Sequence, residues 1–431
     1  MSTYAEFLAR KNGRPDLNGP KIGPGDVHSK LHDWQRELVA WSVRRGRAAL
    51  WADTGLGKTF MQLEWARLSG DRTLIVAPLG VCAQTVREAA KIGIETRYAR
   101  SDDGRPGIVV TNYEMTEHFD ASGFDAVVLD ESSILKDVTS KTRDRLIEQF
   151  EVTPRRLACT ATPAPNDASE LANHAEFLGV ATRREMLSTY FVHDQDGWRP
   201  KGHARKPMFA WMAQWAAAIR KPSDLGYSDE GYDLPGLNIV PRLVDVDVDV
   251  DRDNELFAST LGGVSGRAEI RRKTLAARCD LAAGLVEAEP DEPWLLWAGL
   301  NDEADRLASD TGAFNVHGAM KPEEKAEALL AFAGGEIKRL VTKPGIASQG
   351  LNFQHCARMS FVGLSDSYEA YYQSLRRCYR YGQKRVVEAN IVLSRIERAI
   401  ADNVARKEAQ ARAFTDELVD AMRSTQSWKV A

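Results

Sequence analysis

Eight consecutive residues, Ala52–Asp53–Thr54–Gly55–Leu56–Gly57–Lys58–Thr59, combine two glycines, an amine and a hydroxyl in an order that suits a phosphate chain. Gly55 and Gly57 let backbone N–H groups turn inward around anionic oxygens, with Thr54 and Leu56 in the same turn. Lys58 carries a charge toward the outer phosphates, and the Thr59 hydroxyl can ligate Mg²⁺. A second constellation is Ala126–Val127–Val128–Leu129–Asp130–Glu131, four apolar residues ending in two carboxylates. Asp130 would hold Mg²⁺, directly or through water, and Glu131 would orient and deprotonate an attacking water. An Asp–Glu pair is usually a solvated turn; behind a buried strand, downstream of a phosphate loop, the catalytic reading prevails. A third stretch, Gln373–Ser374–Leu375–Arg376–Arg377–Cys378–Tyr379–Arg380–Tyr381–Gly382–Gln383, places Arg377 and Arg380 three residues apart.

These groups need a scaffold, and the apolar runs predict one. Ala48 to Trp51 reads as a strand entering the glycine turn, and Phe60, Leu63, Trp65 and Leu68 mark the helix that leaves it. That helix points the positive end of its dipole at the anion. Thr73–Pro78, Ile108–Tyr113 and Ala126–Asp130 read as further strands continuous enough to be buried on both faces, and Arg156–Pro163 as another strand with a Thr–Ala–Thr turn. Strands alternating with helices predict a doubly wound parallel sheet with ligands at the strand C-terminal ends. A second set follows: strands at Trp294–Ala298, Phe314–Val316, Leu340–Lys343, Met359–Val362 and Val386–Leu393, with Asn301 as the cap of one helix and Lys321–Phe332 as another.

The chain has 431 residues, enough for two or three domains, with 43% hydrophobic and 27% charged residues. Its formal net charge of −4 excludes nucleic-acid binding by bulk attraction, so such a site must be a local basic groove. The five cysteines are scattered and never form a CxxC pair, which favours reduced thiols in a cytoplasm. No apolar run is long enough to span a bilayer. Between the two sets, Gly197 to Pro207 is rich in cations and turn residues. Trp198, Arg199, Lys201, Arg205 and Lys206 are candidate nucleic-acid contacts, with a solvated surface loop as the competing reading. Met208, Met212, Trp215 and Ile219 fall on one helical face, which makes Trp215 core. Val244 to Asp251 alternates as a strand with valines inward and aspartates outward.

In order and spacing, Gln35, the Ala52–Thr59 loop, Asp130–Glu131 and Thr160–Ala161–Thr162 resemble motifs Q, I, II and III of superfamily-2 helicases. Ala at position 52, where the general P-loop has Gly, is the form found there. Gln373–Gln383 resembles motif VI of the Swi/Snf-type branch, Gly350–Leu351–Asn352 motif V, and His317–Gly318 the motif before it. The resemblance runs from Leu31 to Leu393. It implies an α/β fold of two RecA-like doubly wound parallel-sheet lobes around an ATP cleft. The boundaries are an arm at 1–30, lobe one at 31–181, an insertion and linker at 182–241, lobe two at 242–395 and a helix at 396–431.

By resemblance, Gln35 reads adenine and Gly350 lies against the nucleotide. Arg377 and Arg380 are arginine fingers, and Pro78, Thr111, Asn112, His317, Ser348 and Gln349 contact nucleic acid. The implied activity is a nucleic-acid-stimulated ATPase using ATP and Mg²⁺, acting as a monomer and translocating on duplex DNA. A strand-separating DNA or RNA helicase is the alternative, and an ATP-gated clamp with negligible turnover is the alternative of another class. Three departures stand out. Motif II ends in Ser132–Ser133, where the branch has Ala or Gly followed by a His that links hydrolysis to nucleic-acid contact. Motif V has Ala347–Ser348 in place of two glycines. The accessory domains of many members have no room, so targeting would come from a separate protein.

Overall fold

The structure is a computed structural model that describes residues 18–195, 197–245, 271–347, 352–365 and 367–425. It comprises two compact units, Met1–Glu230 with Gln410–Ala431, and Gly231–Ala409. Among the described residues no helix is long and apolar enough to cross a membrane. All five cysteines are buried and free.

The first unit begins with α1 (Asp33–Arg45), β1 (Arg47–Ala52), α2 (Lys58–Leu68), β2 (Arg72–Ala77), α3 (Leu79–Lys91), β3 (Thr96–Tyr98) and β4 (Gly107–Asn112). It continues with β5 (Ala126–Asp130), α4 (Lys141–Gln149), β6 (Arg155–Cys159), α5 (Leu171–Phe177), α6 (Arg183–Tyr190), β7 (Phe191–Asp194), β8 (Gly197–Pro200), α7 (Arg205–Met212) and β9 (Ala216–Ile219). Seven strands make one sheet in the order β3-β4-β2-β5-β6-β1-β9, every pair parallel. Helices cover both faces of such a sheet, which is why its strands are continuous apolar runs. The register sets Leu50 and Asp130 on either side of Cys159, so the turns leaving β1, β5 and β6 emerge side by side.

The middle of the chain differs from its sequence reading. The basic stretch after Gly197 is no single loop: β7 and β8 pair as an antiparallel hairpin, and Arg205 opens α7. Met208, Met212, Trp215 and Ile219 are all buried, but only the first two lie on a helix. Ala216 to Ile219 form β9, which pairs with β1 along Ala49–Ala52. Residues 182–230, read as part of an insertion between lobes, belong to the first unit.

The second unit contains β10 (Leu237–Val244), α8 (Leu275–Ala288), β11 (Trp294–Ala298), α9 (Asn301–Thr311), β12 (Phe314–Val316), α10 (Pro322–Gly334), β13 (Arg339–Thr342), β14 (Arg358–Val362), α11 (Tyr368–Leu375), β15 (Val387–Ser394) and the start of α12 (Arg398–Thr425). Its six strands are again all parallel, in the order β10-β15-β14-β11-β13-β12. Cys279, Ala282 and Val286 of α8 pack on Trp294, Leu296 and Ala298, the alternate residues of β11. Of the valine–aspartate stretch, Val244 is the last residue of β10, and residues 246–251 lie outside the described residues. Asn301 is the first residue of α9 rather than its cap. Glu303 does the capping: its Oε2 accepts from the backbone N–H groups of Gly299 (2.8 Å) and Leu300 (2.9 Å).

Glu303 also anchors a buried ion pair. Its Oε1 lies 2.6 Å from Nη2 of Arg278, and neither side chain is exposed. Arg278 donates further to Thr274 Oγ1 (3.1 Å) and Arg271 O (2.7 Å). Gly363, at φ 108°, leaves the room this requires, since a Cβ there would sit 2.7 Å from the Glu303 carboxylate. Without Glu303, the buried Arg278 keeps only a longer contact to Glu397 (3.7 Å), and breaking a buried pair costs about 3–5 kcal/mol. Glu303→Ala should therefore lower the unfolding free energy of this unit by that amount in urea titrations. A loss below about 1 kcal/mol would show that solvent reaches Arg278 and that the pair anchors nothing.

Candidate functional site

The phosphate loop forms where β1 ends. Gly57 caps α2 in a left-handed conformation (φ 74°), and a Cβ there would come within 2.5 Å of Gln35 Nε2. Gln35 is buried on α1, donating to Leu56 O (2.9 Å) and accepting from His32 N–H (2.9 Å). Its first task is thus to brace the loop, and each end of the amide keeps one further hydrogen-bonding position. Asp53 Oδ1 accepts from Thr54 N–H (2.6 Å). Lys58 Nζ donates to Ala52 O (2.7 Å), and Thr59 follows in the first turn of α2.

Asp130 ends β5 and is nearly buried, with Oδ1 accepting from Gln62 Nε2 of α2 (2.8 Å). Burial raises its carboxyl pKa above the ordinary value, and the Gln62 hydrogen bond and the Lys58 charge partly offset that. A divalent cation beside it would offset the same cost, so the residue fits a Mg²⁺ ligand. Its carbonyl accepts from the buried Tyr113 hydroxyl (2.6 Å). Burial, reinforced by the Asp130 and Glu131 charges, pushes the Tyr113 pKa well up and keeps it a donor.

Glu131 has φ 58° and ψ 53°, a left-handed backbone that among the described residues no other non-glycine adopts. Such strain persists only where the surroundings enforce it. Glu131 Oε1 accepts from Thr160 Oγ1 (2.7 Å), and Thr160 Oγ1 accepts in turn from Thr162 N–H (3.0 Å). The hydroxyl is thereby oriented, and the carboxylate is fixed to the turn after β6. These residues were legible in sequence; Gln62, Tyr113 and His174, which hold them, were not. His174 of α5 is wholly buried, with Nε2 3.0 Å from Pro163 O and Nδ1 3.5 Å from Ser132 Oγ.

In the second unit, Arg377 and Arg380 follow α11 and are half-buried. Burial, and then the neighbouring Arg376, push Arg380 down to about 10. Gln383 ties this segment down, donating to Cys356 O (3.0 Å) and Cys378 O (3.2 Å). His317 is exposed after β12. Ser348, Gln349 and Gly350 lie outside the described residues.

Of the expected nucleic-acid contacts in the first unit, several are engaged internally. Thr111 is buried with its hydroxyl on Ala99 O (2.8 Å), and buried Asn112 accepts from Tyr98 Oη (2.9 Å). Neither side chain presents a surface to a phosphate, because β4 is an interior strand. Pro78 is half-exposed at the start of α3. Trp198 stands edge-on to His193 across the hairpin, at 4.9 Å between ring centroids. Arg199 pairs with Asp194, Lys201 donates to Ser188 O (2.8 Å), and Arg205 grips Glu417 through two nitrogens (2.5 and 2.9 Å). Lys206 is exposed.

Residues 282–382 match the family model described as the helicase conserved C-terminal domain. Among curated proteins, none matches the chain. Among solved structures, the chain is similar to the Sulfolobus solfataricus SWI2/SNF2 ATPase core in complex with dsDNA. Identity is 17%, 95% of this chain and 96% of that chain are covered, and the TM-score is 0.43.

The burial of His174 has a measurable consequence. Burial lowers its pKa from 6.5 to about 4, with the Pro163 carbonyl opposing. Between those values the unfolded chain binds a proton that the folded chain does not, so this residue makes stability fall as pH drops below 6.5. A His174→Gln variant lacks that loss. The stability lead of the unmodified chain over it should be constant above pH 7 and shrink from pH 6.5 toward 4, by urea unfolding at several pH values. A lead independent of pH would mean that His174 titrates normally in the fold.

Proposed function

We propose that this chain, which carries a helicase conserved C-terminal domain, is an ATP-driven motor on nucleic acid, and that it translocates on or remodels double-stranded DNA. One observation carries the reading. The Lys58 loop leaves β1 and the Asp130–Glu131 pair ends β5, on either side of β6, and Thr160, the residue after β6, bonds to Glu131. Parallel strands collect ligand-binding groups at one sheet edge, and this edge offers a phosphate cradle beside two carboxylates.

Each residue then has a task. Gly55 and Gly57 turn the loop around the phosphates, and Lys58 neutralises them. Thr59 and Asp130 would hold Mg²⁺, which supplies further charge neutralisation on the transferred group. Glu131, fixed by Thr160, takes the proton of the attacking water. Arg377 and Arg380 add positive charge in the transition state. The preference for duplex rests on the likeness of Gln373–Gln383 to the Swi/Snf-type motif. With a net charge of −4 and three cations of the hairpin region engaged internally, contact with the track depends on local groups.

ATP hydrolysis measured alone, with single-stranded DNA, with duplex DNA and with RNA tests the reading. Duplex DNA should stimulate most. Stronger stimulation by single strands or RNA would favour a strand-separating helicase. ATP-dependent DNA binding without turnover would favour the clamp.

Two sets of variants test the roles. Glu131→Gln should bind ATP and not turn it over, since an amide cannot accept the proton. Arg377→Ala or Arg380→Ala should slow hydrolysis by roughly 10³–10⁵ at nearly unchanged ATP affinity. Lysine should rescue poorly, lacking the planar fork. Wild-type rates in both alanine variants would remove the arginines from the mechanism.

A further inference from the structure

Nothing in the resemblance assigns a role to α5, yet this short helix touches both turns that flank the carboxylates. Asn173 Nδ2 donates to Leu135 O (2.7 Å) and Lys136 O (3.2 Å), on the turn that follows Glu131. His174, the next residue, lies 3.0 Å from Pro163 O, beyond the Thr160–Ala161–Thr162 turn. A carbonyl only accepts, so Nε2 carries the imidazole proton, and Nδ1 faces Ser132 Oγ, 3.5 Å away, as an acceptor. Both side chains are wholly buried. The edge of the Trp51 ring closes the pocket, 5.5 Å from the imidazole between centroids. Asn173 is itself held through Oδ1 by Arg183 (3.3 Å).

Two independent ties therefore join the turn after β5 to the turn after β6. One is the direct Thr160–Glu131 hydrogen bond. The other runs from Ser132 and Leu135 through Asn173 and His174 to Pro163. Glu131, with its left-handed backbone, is held by the first tie through its side chain and is followed directly by Ser132 of the second. A strained residue relaxes unless its flanks are fixed.

We infer that Asn173 and His174 form a positioning clamp that holds Glu131 in its working place by bolting the turn after β5 to the turn after β6. The inference rests on the hydrolytic role proposed for Glu131. The clamp touches neither nucleotide nor metal. Its loss should misplace the base without weakening nucleotide binding, and a misplacement of about 1 Å costs about 10²-fold in rate.

The test is steady-state ATP hydrolysis with kcat and KM separated, together with binding of a fluorescent ATP analogue and thermal melts. The unmodified chain is compared with His174→Leu, His174→Gln and Asn173→Ala. His174→Leu should lower kcat by about 10²-fold while KM and analogue affinity stay unchanged. His174→Gln, whose amide can still donate to Pro163 O, should recover most of the loss, which a purely space-filling role would not produce. Asn173→Ala should lower kcat in the same direction. A folded His174→Leu chain that turns over at the unmodified rate overturns the clamp. So does an equal kcat loss in the Leu and Gln variants. If His174→Leu does not fold, Asn173→Ala decides: normal kcat there overturns the inference, and reduced kcat at unchanged affinity supports it. Absence of hydrolysis by the unmodified chain overturns the functional reading itself, which separates the two failures.

Discussion

The left-handed backbone of Glu131 is the constraint around which the first unit is arranged. A non-glycine residue does not stay in that region unaided, and a carboxylate has no reason to remain near a buried strand end. Three elements far apart in sequence answer that need. β6 supplies Thr160, the turn after β4 supplies Tyr113 beneath Asp130, and α5 supplies Asn173 and His174. The parallel order β2-β5-β6-β1 is what brings these strand ends into one row.

Much of this was legible in the sequence, for a physical reason. A parallel strand covered on both faces must be apolar throughout, so the runs at Leu74–Ala77, Val127–Leu129 and Leu295–Trp297 announce themselves. The glycine turn and the paired carboxylates break those runs at the positions where chemistry needs polar groups. Ala216–Ile219 was not legible, because three small residues carry no strand signal until β1 lies beside them. The hairpin cations misled for a related reason. Arg205 reads as free when only its neighbours are visible, and its partner Glu417 is 212 positions away on α12. Gln62 and His174 were passed over because their partners lie far away in sequence, and a polar residue within a helix pattern has no distinguishing mark of its own.

The second unit solves a different problem with a similar device. It buries Arg278 and Glu303 completely, and Glu303 caps α9 with the same carboxylate that neutralises the arginine. A negative group at a helix N-terminus also meets the positive end of the helix dipole. The arginines of the Gln373–Gln383 segment are treated otherwise. They are half-buried, and the segment is held through the Gln383 amide and main-chain carbonyls. Holding the backbone of a segment fixes where its side chains start.

Asp130 and Glu131 show how far two adjacent carboxylates can be separated by surroundings. Asp130 faces inward, where desolvation raises its pKa and the Gln62 amide and the Glu131 backbone N–H meet it. That environment favours an added cation, because a cation relieves the cost that burial imposes. Glu131 turns away from the strand direction and rests on the hydroxyls of Thr160 and, at 3.4 Å, Ser133. Hydroxyl donors orient a carboxylate, which suits the proton-accepting role proposed for Glu131. The change of backbone hand between the two residues is what allows neighbours in sequence to occupy such different sites. A glycine would adopt that hand without strain but would carry no carboxylate, so under the role proposed for Glu131 the strain accompanies the need for a base at that position.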